Sequence, residues 1–210
     1  MNVQEATTRR LPDLKERHLP ENCRETINTI LKETYGYEQF RNLEIYDDLS
    51  KGKEKLCISQ GQLIENVILE AEKAWKSETQ VDNILLTAPT GSGKSLLFQL
   101  PAIYLGKEYN LLTIVVSPLK ALIVDQVESL QELGYARVAY ASSDLSPEQK
   151  MEVYRQVREG EIDLFYLSPE LLLAYDIKHF VGERRIGLVV VDEAHTVTTW
   201  GKEFRVDYWF

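Results

Sequence analysis

The chain has 210 residues, of which 44% are hydrophobic, and its 24 Lys and Arg residues against 33 Asp and Glu residues leave a formal net charge of −9. This length allows one sizeable core with a small appendage. The acidic balance argues against a protein that coats nucleic acid through a broad basic face, although a local track of donors along one strand is compatible with it. The first residues do not resemble a signal peptide, and the apolar runs fall short of membrane-spanning length, so we expect a cytoplasmic protein without a membrane partner. Two cysteines, Cys23 and Cys57, lack metal-ligand spacing, so we expect no zinc site.

The first 80 residues predict a polar lead-in followed by two helices. Residues 1–20 are polar and show no sustained periodicity, which indicates a mobile segment. Apolar residues then recur at helical spacing over 27–31, and Gly36 suits a helix end. A second amphipathic pattern covers 63–75. Residues 21–80 are therefore predicted to form a small helical extension.

From residue 81 the pattern changes to short Val, Ile and Leu runs that alternate with helical segments. The predicted strands are Asn83–Thr87, Leu111–Ser117, Arg137–Ala141, Ile162–Leu167 and Gly187–Val191. The predicted helices are Leu96–Leu105, Leu119–Leu133, Pro147–Glu159 and Pro169–Phe180. Nearly continuous apolar strands are typical of a parallel sheet that helices cover on both faces. Residues 81–210 are therefore predicted to form an α/β domain.

A glycine-rich loop separates the first predicted strand from the first helix of this domain. Residues 88–95 read Ala-Pro-Thr-Gly-Ser-Gly-Lys-Ser. Glycines let successive backbone amides converge on phosphate oxygens, Lys94 places a positive charge on the terminal phosphates, and Ser95 offers a hydroxyl to Mg²⁺. The predicted nucleotide-binding residues of the loop are Thr90, Gly91, Ser92, Gly93, Lys94 and Ser95.

Two adjacent carboxylates follow the last predicted strand, in the sequence Val-Val-Val-Asp-Glu-Ala-His over 189–195. The strand end lies at the crevice where open α/β sheets bind ligands. We expect Asp192 to bind Mg²⁺, Glu193 to orient or deprotonate the attacking water, and His195 to link nucleotide state to its neighbours. Together with Lys94 they form the predicted catalytic set, and the predicted cofactors are ATP and Mg²⁺.

The loop form Ala-x-x-Gly-x-Gly-Lys-Ser and the Asp-Glu-Ala-His box resemble those of the superfamily 2 helicases. Further segments are similar to motifs of the RecQ-like DNA helicases, and they lie at 95–102, 117–126, 166–170 and 200–208. The resemblance implies a RecA-like P-loop fold for residues 81–210, as the first motor domain of an ATP-dependent helicase.

The resemblance also implies contacts with single-stranded or partly duplex DNA. Ser117 and Lys120 lie in the segment that resembles motif Ia, and their alternative roles are helix capping and solvation. The segment 200–208 is similar to the aromatic loop by which RecQ-like enzymes sense single-stranded DNA. Trp200, Phe204 and Arg205 suit base stacking and phosphate contact, and the alternative is that the aromatic rings pack against a neighbouring domain.

The upstream adenine-recognition motif departs from the family pattern. Its aromatic and Phe-Arg parts fit, with Arg41 in place, but Glu44 occupies the glutamine position. Gln60 precedes the second helix at the spacing of the family glutamine, so residues 42–59 resemble an insertion, and Gln62 is the alternative. Arg41 and Gln60 are therefore the predicted adenine-binding residues.

The family motor needs a second RecA-like domain that carries an arginine finger, and residues 1–210 do not contain one. In this fold a further strand lies between the phosphate-loop strand and the acidic-box strand, so we expect a truncated sheet and an isolated chain that is poorly stable and nearly inactive. Two alternatives stay open. The chain is a non-catalytic module that binds nucleotide or a partner, or it is an RNA helicase, in whose relatives the Trp-Gly-x-x-Phe-Arg loop is not expected.

Overall fold

A computed structural model describes residues 20–46, 55–76, 81, 83–86 and 91–194. Within these ranges the helices are α1 (Glu25–Tyr35), α2 (Gln60–Trp75), α3 (Leu96–Tyr109), α4 (Lys120–Glu132), α5 (Pro147–Arg158), α6 (Pro169–Ala174) and α7 (Ile177–Val181). The strands are β1 (Asn42–Tyr46), β2 (Lys55–Ser59), β3 (Leu112–Val116), β4 (Val138–Ala141), β5 (Leu164–Leu167) and β6 (Ile186–Val191). The lead-in 1–19, Thr90, His195 and the segment 200–208 lie outside the described residues.

Four strands form a parallel sheet in the order β4-β5-β3-β6, with helices on both faces. The central strands β3 and β5 are buried along their whole length, which explains their unbroken apolar sequences. The predicted α/β fold, with a mostly parallel sheet flanked by helices, is confirmed. The extension that precedes it, predicted as helical, contains the strands β1 and β2 as well as the helices α1 and α2.

Alternate residues of the central strands enter two separate hydrophobic clusters, one on each face of the sheet. Val115 and Tyr166 pack with residues of α1, α2, α3 and α4. Ile114 and Phe165 pack with residues of α5, α6 and α7. Because successive side chains of a strand point to opposite faces, this division follows from the strand itself. The helical extension thus shares one core with the sheet.

Buried ionic contacts join α1 to α2 and α3. The guanidinium of Arg24 donates to Glu65 Oε1 at 2.6 Å and to Glu72 Oε1 at 2.7 Å. Tyr109 donates to the same Glu72 oxygen at 2.9 Å. Burial raises the pKa of Glu72, but hydrogen bonds from Arg24 and Tyr109 outweigh it, so the pKa lies below its usual value. The extension is therefore held by charge pairs as well as by apolar packing.

The segment 42–59, predicted as an insertion, contains the antiparallel pair β1–β2. At its base the backbone N–H of Gln60 donates to the Arg41 carbonyl at 2.9 Å. The backbone N–H of Arg41 in turn donates to the side-chain Oε1 of Gln60 at 3.2 Å. A hairpin brings its two ends together, so Arg41 and Gln60 are neighbours in space although 18 residues separate them in sequence.

Two predicted elements are wrong. Residues 83–86, expected to be a strand, have no strand structure, and they line one cavity together with residues of β6. A strand requires a hydrogen-bonding partner, and among the described residues β6 pairs with β3 alone. The expected helix 169–180 is interrupted, because the side chain of Asp176 accepts from the Lys178 amide and starts α7 as a new helix.

Candidate functional site

The phosphate loop carries the backbone conformation that its glycines predict. Gly91 and Gly93 both have φ of 80°, in the left-handed region that side chains disfavour. A Cβ on Gly93 would also lie 2.7 Å from Gln60 Nε2. Gly93 therefore serves two purposes, since it supplies the turn and leaves room for a glutamine from α2.

Helix α3 begins directly after this loop. The Ser95 carbonyl accepts from the Gln99 amide at 2.9 Å, and the Lys94 carbonyl accepts from the Leu97 amide at 3.0 Å. Because the first amides of a helix lack partners within it, they and the helix dipole favour an anion at this end. Residues 91–95 of the loop and the first turn of α3 are thus suited to an anion, with Lys94 and Ser95 at their junction.

The acidic pair lies at the carboxyl end of β6. The Asp192 amide donates to the Val116 carbonyl at 2.9 Å and so extends the pairing of β3 with β6 by one residue. The Glu193 amide donates to Asp192 Oδ1 at 2.9 Å, and Glu193 has φ of 50°. A left-handed conformation costs a residue other than glycine roughly 1–2 kcal/mol. Such strain at a carboxylate pair is typical of functional sites.

One cavity of about 710 Å³ brings the two motifs together. Lys94, Asp192 and Glu193 all line it, and apolar residues of α2 and β6 form much of its remaining wall. A lysine and two carboxylates beside an apolar wall suit a site for a phosphate and a divalent cation. Predicted residues that are 98 positions apart in sequence, Lys94 and Asp192, thus face the same space.

The two candidate glutamines have different partners. Gln60 is 2% exposed, and its Nε2 donates to the Ser92 carbonyl of the phosphate loop at 3.2 Å. Gln62 instead accepts from the Ser59 amide at 3.0 Å, which completes the capping box of α2, and donates to the Pro20 carbonyl at 3.2 Å. The geometry therefore favours Gln60 over Gln62 as the residue beside the nucleotide.

Ser117 and Lys120, the predicted DNA contacts of the described region, differ in access. Ser117 directly follows β3 and is 1% exposed. Its hydroxyl has no hydrogen-bond partner among the described residues. Lys120 is exposed and lies 2.9 Å from Asp144 Oδ1, whose pKa it lowers by its hydrogen bond. Both assignments stay predictions. To bind a DNA phosphate, Lys120 would have to release Asp144.

One neighbour of the acidic pair was not predicted. Gln126 of α4 donates from Nε2 to Asp192 Oδ2 at 3.4 Å. It lies on the face of α4 that buries Ile123, Val127 and Leu130. A polar residue within an apolar stripe was the available signal, because such a side chain needs a partner inside the fold.

Comparison with known proteins now assigns the family. The family model of the DEAD/DEAH box helicases matches residues 69–209, which is more than half of the chain. The chain belongs to the DEAD/DEAH box helicase family. The matched range of this helicase domain holds the sheet, the phosphate loop and the acidic box, and it begins within α2, so α1 and the hairpin precede it.

Relatives confirm the resemblance to RecQ-like helicases. The chain is 30% identical over 183 residues to the ATP-dependent DNA helicase RecQ of Haemophilus influenzae, covering 87% of this chain and 24% of that protein. It is 32% identical over 180 residues to RecQ of Bacillus subtilis, covering 86% and 25%. It is 36% identical over 141 residues to the ATP-dependent helicase SGS1 of Saccharomyces cerevisiae, covering 65% and 10%. The chain thus spans about a quarter of the length of the bacterial relatives.

A solved structure shares the fold. The DUF1998 helicase MrfA bound to DNA superposes with a TM-score of 0.51 at 21% identity, over 86% of this chain and 21% of that one. Among the described helices of this chain, none is long and apolar enough to cross a membrane.

Proposed function

We propose that this chain is the first RecA-like motor domain of a RecQ-like, ATP-dependent DNA helicase. In this role it binds MgATP and couples ATP hydrolysis to movement along single-stranded DNA. The observation that carries the proposal is the single cavity lined by Lys94, Asp192 and Glu193. The left-handed loop glycines and the start of α3 beside Lys94 support it, because they form a receptor for phosphate.

The residues present fit the nucleotide and its cation. Lys94 would hold the terminal phosphates, while the loop amides of residues 90–95 would hold the others. Ser95 and Asp192 would hold Mg²⁺, for which a hydroxyl and a carboxylate oxygen are suitable ligands. Glu193 would orient or deprotonate the water, and His195 would connect this site to the residues that follow. The bound cation supplies charge neutralisation at the phosphates.

Adenine recognition falls to Arg41 and Gln60 in this proposal. The hydrogen bonds across the base of the hairpin keep the two residues adjacent, and Gln60 reaches the phosphate loop. A glutamine side chain has both a donor and an acceptor, which is what the edge of an adenine requires.

DNA binding is proposed for Ser117, Lys120, Trp200, Phe204 and Arg205. The curated relatives are named as DNA helicases, and their names support DNA rather than RNA as the substrate. Aromatic rings beside an arginine suit stacking with bases and contact with phosphates. The bacterial relatives are about four times longer than the matched region, which supports a second RecA-like domain that supplies the arginine finger. A cytoplasmic location is also part of the proposal.

Lys94→Ala tests the nucleotide site. In the intact protein we expect the variant to lose tight binding of a fluorescent ATP analogue and ATP hydrolysis, while the thermal midpoint of unfolding stays near that of the unchanged protein. Lys107→Ala is the matched control, because Lys107 lies in the last turn of α3, at the end opposite to Lys94. ATP binding that survives Lys94→Ala would refute the site. Binding without hydrolysis in the unchanged protein would favour the non-catalytic module.

Trp200→Ala and Arg205→Ala test the DNA assignment. We expect both variants to keep ATP binding and to lose most of the stimulation of ATP hydrolysis by single-stranded DNA. An unchanged DNA response would refute the role of this segment. Stimulation of the unchanged protein by single-stranded RNA and not by DNA would favour the RNA helicase.

A further inference from the structure

Four hydrogen bonds join five side chains across the core, from the helical extension to the acidic pair. Tyr35 donates to Gln99 Oε1 at 3.0 Å, and Gln99 Nε2 donates to the Tyr166 hydroxyl at 3.1 Å. Tyr166 donates to Gln126 Oε1 at 3.0 Å, and Gln126 Nε2 donates to Asp192 Oδ2 at 3.4 Å. The five residues come from α1, α3, β5, α4 and the end of β6. We call this set the Asp192 relay.

The chemistry of Asp192 dictates the direction of every bond in the Asp192 relay. The carboxylate oxygen of Asp192 accepts from the amide nitrogen of Gln126, so the Gln126 oxygen faces Tyr166. The Tyr166 hydroxyl then donates its proton to Gln126, so the Tyr166 oxygen accepts from the side-chain nitrogen of Gln99. The oxygen of Gln99 is left for the hydroxyl of Tyr35. All donors therefore point towards the acidic pair, an arrangement in which each bond polarises the next.

Burial of the side chains protects the hydrogen bonds of the Asp192 relay from exchange with solvent. Tyr166 is fully buried and Gln99 is 5% exposed, so solvent does not replace their bonds. Burial raises the pKa of Tyr166 and of Tyr35 above their usual values, so both hydroxyls keep their protons at neutral pH. A buried glutamine and tyrosine with one bond removed would be left with an unsatisfied polar atom.

We propose that Gln126 is a positioning residue for the Mg²⁺ ligand Asp192, and that Tyr35, Gln99 and Tyr166 hold Gln126 in the required orientation. Asp192 Oδ1 already accepts from the Glu193 amide, so the bond from Gln126 fixes the second oxygen and with it the rotation of the carboxylate. Partners of this kind orient ligands and raise metal affinity. The proposal rests on the proposed role of Asp192 in binding Mg²⁺.

Gln126→Met tests the proposal in the intact protein, because methionine keeps the length of the side chain and removes the amide. We expect the Mg²⁺ concentration for half-maximal ATP hydrolysis to rise about tenfold. Binding of a fluorescent ATP analogue in the presence of EDTA is expected to stay unchanged. If the substitution unfolded the protein, this binding would be lost as well. Gln131→Met is the matched control, since Gln131 lies on the same helix and bonds the Val138 carbonyl instead. We expect no change in its Mg²⁺ dependence.

Tyr166→Phe tests the remainder of the Asp192 relay. It keeps the ring and removes the hydroxyl, so the Mg²⁺ requirement is expected to rise in the same direction. Since both variants break one path, combining Gln126→Met with Tyr166→Phe is expected to add little to Gln126→Met alone. Fully additive shifts would show that Tyr166 does not act through Gln126, which would overturn the relay.

Asp192→Asn separates the two proposals. A raised Mg²⁺ requirement in Asp192→Asn together with an unchanged one in Gln126→Met overturns the positioning role and leaves the proposed ATP site intact. An unchanged Mg²⁺ requirement in Asp192→Asn overturns the role of Asp192 itself. Equal losses of ATP binding with and without Mg²⁺ in Gln126→Met would show a structural role and would also overturn the positioning role.

Discussion

At the scale of single residues, hydrogen-bond partners separate side chains that look equivalent in the sequence. Gln60 and Gln62 lie on the same first turn of α2, yet one bonds the phosphate loop and the other caps its own helix. The spacing along the chain favours Gln60, and the hydrogen-bond partners agree with that choice. Gln126, in contrast, was not predicted from the sequence, because its proposed role depends on a carboxylate 66 residues away.

Gln60→Ala is expected to weaken ATP binding, whereas Gln62→Ala is expected to weaken the stability of the fold. Loss of the Gln60 amide removes a contact with the phosphate loop and the proposed adenine contact, so affinity for ATP is expected to fall roughly tenfold, or about 1.4 kcal/mol. Loss of the Gln62 cap is expected to lower the free energy of unfolding by about 1 kcal/mol with little change in ATP affinity. ATP titration and urea denaturation measure the two effects. Equal losses of ATP affinity would contradict the assignment.

The two cysteines are expected to differ in reactivity. Burial, followed by the nearby Glu65 carboxylate, raises the pKa of Cys23 to about 12, whereas Cys57 is exposed. Because the thiolate reacts, a maleimide at pH 7.5 is expected to label Cys57 at least about tenfold faster than Cys23. Mass spectrometry of the labelled protein measures both rates, and Cys57→Ser is expected to remove the fast phase. Comparable rates would contradict the environment of Cys23.

The same pKa shift has a consequence for stability in alkali. The folded protein favours the neutral Cys23 thiol, whose ordinary pKa is 9.0. This contribution to the free energy of unfolding is therefore fully present below pH 9 and is lost as the pH rises towards 12.

At the scale of elements, the β1–β2 hairpin keeps the two predicted adenine-binding residues together. Residues 42–59 interrupt the predicted adenine motif, yet their two ends pair, and Arg41 bonds Gln60 in both directions across them. The predicted motif is interrupted in the sequence, whereas Arg41 and Gln60 are adjacent in the folded chain. The register of the hairpin also shows where it can be shortened.

Replacing residues 45–56 with Asn-Gly is expected to leave ATP binding unchanged. Glu44 pairs directly with Cys57, so a two-residue turn can join them without a change of register. ATP titration and the thermal midpoint of unfolding measure the outcome. As a control, replacing 41–60 removes both predicted adenine contacts and the start of α2, and it is expected to weaken ATP binding strongly. Loss of ATP binding in the shorter deletion would assign the hairpin itself to the site.

At the scale of the whole molecule, β6 forms an edge of the sheet among the described strands. Val189 of β6 is 56% exposed, and residues of β6 line the site cavity together with residues 81 and 83–86. Across the described residues, the second edge of β6 has no paired strand. A sheet edge of this kind pairs readily with another chain. The proposed ATP site and this edge of β6 therefore lie side by side.

Residues 1–210 expressed alone are expected to associate through this edge and to show little ATP hydrolysis. Val189→Lys places a charge on the edge, so it is expected to shift the isolated chain towards monomer. Met151→Lys is the control, because Met151 is 73% exposed on α5, away from the edge. Sedimentation velocity measures the association. A stable, monomeric and fully active isolated chain would contradict the prediction, as would equal effects of the two substitutions.

Local signals were enough to predict the elements that build the site. The glycines of the phosphate loop, the carboxylates after β6 and the helical periodicity of α1 to α5 act over a few residues, and their structures agree with the patterns. The predicted strand at 83–87 and the single helix at 169–180 are wrong for two reasons. A strand exists only if a partner pairs with it, and a polar cap can start a new helix within a continuous apolar pattern.

The sequence by itself determined the parallel α/β fold, the two nucleotide motifs and the family resemblance, because each depends on residues that are close together in the chain. Only the tertiary structure decided which glutamine meets the phosphate loop, that Lys94 and Asp192 share one cavity, and that Gln126 bonds Asp192. The residues of these three pairs are 32 to 98 positions apart in the sequence. Their geometry depends on how helices pack on the sheet, which no local pattern contains.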